Sequence, residues 1–251
     1  MTLWARLTWL AADPAALASG LERRLGVPGR DAVPTRGARL LDLGTAELEV
    51  RPWVREGPDD RPRTAGRLVL EPVSGAGDDE PGPGDHVPGP DAAVGDASRV
   101  VLVGIGWSTV ELDRAEADLD PWLGPEAGIV GADPQLGARA RLRTAGSLPS
   151  DWIVLLEPST EGRAAASLAR DGEGPCALYL HVGPATGRAG LEAWLGVAAG
   201  RGLRLVGGIE DGGPFGAQAL VAGWPPSGPH VLLVEGRSPA SPGDAASTIA
   251  P

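Results

Sequence analysis

Lysine and asparagine are absent from this 251-residue chain, and cysteine, methionine, tyrosine and phenylalanine each occur once. The basic side is all arginine, which fits a GC-rich coding bias and carries no mechanism. The lone Cys176 excludes an internal disulfide and a thiolate metal cluster. No apolar run approaches the roughly 18–20 residues of a membrane helix, and no charged segment followed by an apolar one opens the chain. No membrane partner is therefore expected, and the cytoplasm is the expected location. Positive charge is also scarce: 22 basic residues face 33 acidic ones, a formal net charge of −11. That balance argues against a phosphate-tracking surface and against nucleic-acid binding. Sequence signatures of common active sites are missing as well. GIGWST at 104–109 lacks the Gly-Lys-Ser/Thr ending of a phosphate loop, and neither a GxSxG elbow nor an HExxH helix occurs.

Apolar residues make up 42% of the chain, enough for a sizeable core. Glycine (38) and proline (25) are also abundant. They concentrate in residues 74–98, SGAGDDEPGPGDHVPGPDAAVGDAS, and again in 237–251. Such composition buries too little apolar surface to offset the entropy of ordering. A flexible linker and a flexible tail are expected there. Two ordered regions remain, 1–73 and 99–236, and the second divides into two blocks near residue 170.

Each of the three blocks opens with a β-like run and a short helix, then closes with further strands. Block A reads ARLTWLAA, then PAALASGLERRLG, with Asp13 as N-cap, Pro14 at the first helical position and Gly26 as the stop. Its closing strands are GARLLDLG, AELEVRPW and GRLVLEPV. Block B opens VVLVGIGW and ELDRAEADL, then closes with GARARLRT and DWIVLLEP. Block C opens CALYLHV and GLEAWLGVAAGRG, then closes with RLVGG, GAQALVAG and PHVLLVE. Leu191, Trp194, Leu195 and Ala198 mark one apolar face of the block C helix. The pattern is an internal repeat of a βαβββ unit, an α+β class of fold.

Blocks B and C, joined through LLEP at 155–158, a short helix and GEG at 172–174, resemble the vicinal oxygen chelate (VOC), or glyoxalase-like, superfamily. The likeness is greatest to its methylmalonyl-CoA epimerase-like branch. Block A resembles one further module. The resemblance implies that B and C set curved sheets side by side, with helices on the convex faces and a cup between the sheets. It also implies a divalent metal in that cup, held by His, Glu or Gln from the first and last strands of each module. Carried over residue by residue, the ligand positions fall at Gly104 or a neighbour, Val154, Ala177 and Leu233, and none is a ligand. No cofactor is expected, and a divalent metal is disfavoured.

What remains is an apolar cup of Val154, Ala177 and Leu233, with Trp152 at the same parity and Tyr179 and His181 sharing the face of Ala177. These residues, with Arg141 from the alternating Arg139–Arg141–Arg143 strand, are the candidate ligand-binding set. Apolar side chains that simply fill the cup are the blander reading, as are ion pairs for the arginines. His181 and Glu235 are weak candidates for an acid–base pair, and Glu47 and Glu49 of block A for metal ligation. These glutamates read more simply as partners of Arg39 or Arg67. His86 falls in the linker and His230 at a turn, and neither reads as a ligand. The leading functional expectation is a non-catalytic module for a small, partly apolar molecule. A lyase, isomerase or dioxygenase with relocated metal ligands is the alternative, and a structural dimeric remnant is the second. The unpaired block A either joins its copy in a homodimer or extends the B–C sheet.

Overall fold

The computed structural model describes residues 4–32, 38–44, 46–52, 67–73, 100–124, 128–146, 150–159, 161–183, 187–222 and 228–236. The expected linker at 74–98 and the tail at 237–251 lie outside these. Block A forms β1 (Trp4–Ala11), α1 (Pro14–Leu25), β2 (Gly29–Asp31), β3 (Arg39–Asp42), β4 (Glu47–Pro52) and β5 (Arg67–Val73). Block B forms β6 (Val100–Ser108), α2 (Leu112–Leu119), a 3-10 turn (Asp120–Trp122), β7 (Ile129–Asp133), β8 (Ala138–Thr144) and β9 (Trp152–Pro158). The connecting helix α3 (Arg163–Asp171) leads to block C: β10 (Gly174–Val182), α4 (Arg188–Gly200), β11 (Leu205–Gly213), β12 (Gly216–Val221) and β13 (His230–Val234).

Local signals act as expected in α1. Asp13 Oδ1 accepts from the Ala16 N–H at 2.9 Å, Pro14 opens the helix, and Gly26 closes it at φ +72°, in the left-handed region. Helix α2 has no capping side chain of its own. Its entry is held from outside by both motif glutamates. Glu157 of LLEP accepts from the Leu112 N–H at 3.2 Å. Glu173 of GEG accepts from the Val110 N–H at 2.8 Å and the Thr109 hydroxyl at 2.7 Å, and pairs with Arg114. Acidic groups at a helix start also suit the helix dipole.

Blocks B and C share one eight-stranded sheet in the order β11-β12-β13-β10-β6-β9-β8-β7. In each block the last strand lies parallel beside the first, β9 on β6 and β13 on β10, and the two modules join antiparallel along β6–β10. Block A makes a separate five-stranded sheet, β2-β3-β4-β1-β5. Two sequence expectations are corrected here. Block B has a third closing strand, β7, which the sequence reading passed over: Ile129–Asp133 is only five residues long, has Gly131 at its centre and shows no apolar–polar alternation. Strand β5, expected to close block A, instead pairs antiparallel with β1 on the side away from β4. Apolar pattern alone does not say which side of β1 a strand joins.

Block A does not extend the B–C sheet. It packs on the helix side of blocks B and C in one continuous core. That core runs from Trp9, Leu21 and Leu48 to Leu180, Trp194 and Leu233. The Leu102 N–H donates to the Leu43 carbonyl at 2.9 Å, close to a register slip between β6 and β10. Gly44, at φ +79°, sits so close to β6 that a Cβ there would come within 2.9 Å of Val101. The other face of the eight-stranded sheet holds a second core. No helix among the described residues is long and apolar enough to cross a membrane.

Candidate functional site

The second core is the cup. Strand register places Gly104 beside Trp152 and Gly106 beside Val154, and Ala177 and Tyr179 face them from β10. Val154, Ala177 and Tyr179 are fully buried. The missing Cβ atoms on β6 decide what fills the middle. A Cβ on Gly104 would come within 2.9 Å of the Phe215 ring, and one on Gly106 within 2.7 Å of the Ala177 Cβ and 3.2 Å of the Tyr179 ring. The Phe215 and Tyr179 rings meet with centroids 5.3 Å apart and planes tilted by 60°, a favourable geometry for an aromatic pair. Phe215 comes from the short β11–β12 turn, whose tip, Gly213 to Phe215, is buried.

A polar cluster closes the cup from the β7 side. Asp133, at the end of β7, is 0% exposed. Its Oδ2 accepts from the Tyr179 hydroxyl at 2.5 Å, and its Oδ1 accepts from Gln218 Nε2 at 2.8 Å and the Leu136 N–H at 2.9 Å. Burial lifts the Asp133 pKa above its ordinary value, although the hydrogen bonds from Tyr179, Leu136 and Gln218 pull the other way. Burial, followed by the adjacent Asp133 charge, raises the Tyr179 hydroxyl well above its ordinary value, so it stays a donor. Next to this cluster Gln135 Nε2 donates to the Gly208 carbonyl at 3.0 Å. These bonds tie the β7 edge to the β11–β12 hairpin across the open side of the curved sheet.

The candidate residues divide. Trp152, Val154, Ala177 and Tyr179 lie in the cup core, and His181 sits beside Val101 and Val234 on the same face near the end of β10. Leu233 does not: it belongs to the helix-side core, and its neighbours Leu232 and Val234 take the cup positions. The carried-over register was one residue off, and alternation turned that slip into a change of face. Arg141 is also outside the cup. Its guanidinium pairs with Asp113 at 2.7 Å and Glu116 at 2.5 Å on α2. The neighbouring Arg143 pairs with Glu116, and Arg139 with Glu157. Glu235 follows β13 with its carboxylate against Gly216, where a Cβ would come within 2.2 Å of Oε1.

In block A, Glu47 pairs with Arg30 rather than with Arg39, which binds Glu22 and Asp31, and the Arg67 side chain lies outside the described part of the structure. Glu49 is buried in the five-stranded sheet, in register with Thr8 and Leu40. Among the described residues no group of three or more His, Cys, Asp or Glu side chains could hold a metal ion. The metal that the resemblance implies therefore finds no fitting ligand set: Gly104, Val154 and Ala177 offer no donor, and the fourth position is apolar on either register.

Sequence reading missed Asp133, Gln218 and Phe215. Asp133 could have been suspected from DPQLG, a polar turn set between strands. Phe215, the only phenylalanine, stood in a segment read only as the approach to a strand. A separate small cleft lies outside the cup, among Ser108, Ser167, Arg170, Cys176 and Leu68. Beside it the Ser167 Oγ and His230 Nε2 are 3.1 Å apart. Burial pulls His230 down to about 4, so it is neutral at pH 7 and ties α3 to β13.

Paired βαβββ modules, a curved sheet with a cup on one face and helices on the other, define the glyoxalase-like fold of the VOC superfamily. One solved structure has the same fold over nearly the whole chain. A triple mutant of 4-hydroxymandelate synthase from Streptomyces coelicolor matches with a TM-score of 0.56 and 11% identity, covering 96% of this chain and 94% of that one. Methylmalonyl-CoA epimerase from Mycobacterium tuberculosis matches with a TM-score of 0.46 and 22% identity, over 58% of this chain and 91% of that one. No family model and no curated protein matches the chain.

Proposed function

We propose that this chain is a non-catalytic VOC-fold protein whose B–C cup holds a small, partly apolar molecule and no metal. One observation carries the reading. The two glycines of β6 leave room in the cup for the Phe215 and Tyr179 rings and Ala177, a fully buried, mostly apolar lining. A buried apolar surface with a few polar groups at its margin suits an apolar or aromatic guest better than an ion. The alternative, an enzyme with relocated ligands, would draw on His181, Glu235, Glu47 or Glu49. Glu47 is instead ion-paired at the surface, and Glu49 belongs to a different sheet.

Two measurements test this. Metal analysis of purified protein should find no stoichiometric Fe, Mn, Ni or Zn. A thermal-shift screen of aromatic and acyl compounds should give ligands that raise the melting temperature. Stoichiometric metal that is lost in His181→Ala would overturn the reading in favour of the enzyme.

A further inference from the structure

The tip of the β11–β12 hairpin is packed into the cup. Phe215 is 1% exposed, yet it belongs to a two-residue turn and not to any of the strands that build the cup. Its ring sits over Gly104, where no Cβ intervenes, and against Tyr179. The turn is framed by Gly212 at φ +79° and Gly216 at φ +89°. Both lie in the left-handed region, where glycine alone moves freely between backbone states. The attachment of the ring is thus unlike that of Val154 or Ala177, which sit in the middle of paired strands.

Gln218 supplies the second observation. It is 0% exposed, and its Nε2 donates to Asp133, which fixes the orientation of the amide. Its Oε1 has no hydrogen-bond partner. That oxygen is directed at the hairpin tip, where a Cβ on Gly213 would come within 2.3 Å of it. A buried carbonyl oxygen without a donor is costly, and such groups mark places where a donor is to be supplied. The neighbouring polar groups cannot supply it, because the Tyr179 hydroxyl already donates to Asp133.

We propose that Phe215 is an exchangeable plug. A small aromatic molecule carrying an N–H or O–H displaces the Phe215 ring, stacks against Tyr179 over Gly104 and Gly106, and donates to Gln218 Oε1. This rests on the proposed binding function of the cup and names the class of its ligand. It also accounts for a binding cup that is closed when empty: the hairpin covers the apolar surface until a guest replaces it. An apolar cavity of ring size would otherwise stand dry and unfilled.

The chain offers a clean test, because Phe215 is its only phenylalanine. Protein labelled at phenylalanine gives a single ring signal in NMR. Addition of indole or phenol to the wild type should move that signal from a buried to a solvent-like position and raise the melting temperature. Gln218→Met should weaken indole and phenol about tenfold and leave toluene unchanged, the loss of about one hydrogen bond. Phe215→Ala should bind all three more tightly than the wild type, since no ring has to leave.

The failures are distinguishable. If Phe215→Ala binds the probes and the wild type does not, the cup accepts a ring but the plug is permanent core. The exchange proposal then falls and the binding function stands. If the wild type binds indole with the phenylalanine signal unmoved, the ligand sits elsewhere and the proposal falls. If neither protein binds any probe, both readings fall. A loss of indole and toluene in equal measure in Gln218→Met would overturn the assigned role of Oε1.

Discussion

The hydroxyl of Tyr179, in the middle of β10, donates to Asp133 Oδ2 at 2.5 Å, joining the central seam of the eight-stranded sheet to its outermost strand. Tyr179 is the only tyrosine of the chain, and both partners are fully buried. Removing the hydroxyl leaves the Asp133 oxygen short of a donor. Tyr179→Phe should therefore lower stability by about 1–3 kcal/mol, read by denaturant unfolding with the m-value unchanged.

The same carboxyl predicts a pH dependence. Burial raises the Asp133 pKa above its ordinary 3.8, so the folded chain holds that proton more tightly than the unfolded chain does. The contribution of Asp133 is fully present below the ordinary value and is lost as pH rises through the folded pKa. Melting temperature measured from about pH 4 to pH 7 should therefore fall less steeply in Asp133→Asn than in the wild type. Equal slopes would show that Asp133 does not titrate in that range.

Glu173 has the opposite sign. Its pairing with Arg114, together with hydrogen bonds from Val110 and Thr109, holds its pKa at about 2. Its contribution is present above the ordinary value of 4.5 and is lost as pH falls toward about 2. Glu173→Gln should unfold at lower denaturant than the wild type at neutral pH, and the difference should close in strong acid. Salt should shrink it as well, because the pair is partly exposed.

Gly106 predicts a coupled pair. An added Cβ would lie 2.7 Å from the Ala177 Cβ, a contact the backbone cannot relieve by turning a side chain. Gly106→Ala should cost about 1–3 kcal/mol, and Ala177→Gly in the same chain should recover part of that loss. A double-mutant cycle measures the coupling, and strict additivity would contradict the contact.

Cys176 should be chemically silent. Burial pushes its thiol up to about 12, so almost no thiolate forms at neutral pH. Thiol reagents should leave the native protein unlabelled and modify one site after denaturation.

Much of the fold was legible because each module writes the same two periods in the same order. Asp13, Pro14 and Gly26 bound α1 as read, and Leu191, Trp194, Leu195 and Ala198 are the buried face of α4. The misses have physical reasons. Ile129–Asp133 makes a short, mostly exposed edge strand with a glycine at its centre, so its few apolar residues show no alternation to read. Leu233 lies in an unbroken apolar run, HVLLV, buried on both faces, where alternation gives no parity to read. The cup's occupants were harder still. Gly104 and Phe215 meet across a long stretch of chain, and a missing Cβ has meaning only when its neighbour is known. Arg141 shows the converse: three alternating arginines advertised a binding face, yet Asp113 and Glu116 of α2 hold Arg141 and Arg143, and Glu157 of β9 holds Arg139.

Strand β5 stands to β1 as β10 stands to β6, antiparallel along the seam where one module hands over to the next. Among the described residues, the N-terminal sheet thus has the outline of one module joined to the opening strand of a second. The superfamily resemblance implies a chelating centre that draws on both halves of a paired domain. A chelating site at the N-terminal end would thus need strands from a second module, whereas in the B–C cup both modules are in place and the side chains at positions 104, 154 and 177 alone set what it can hold.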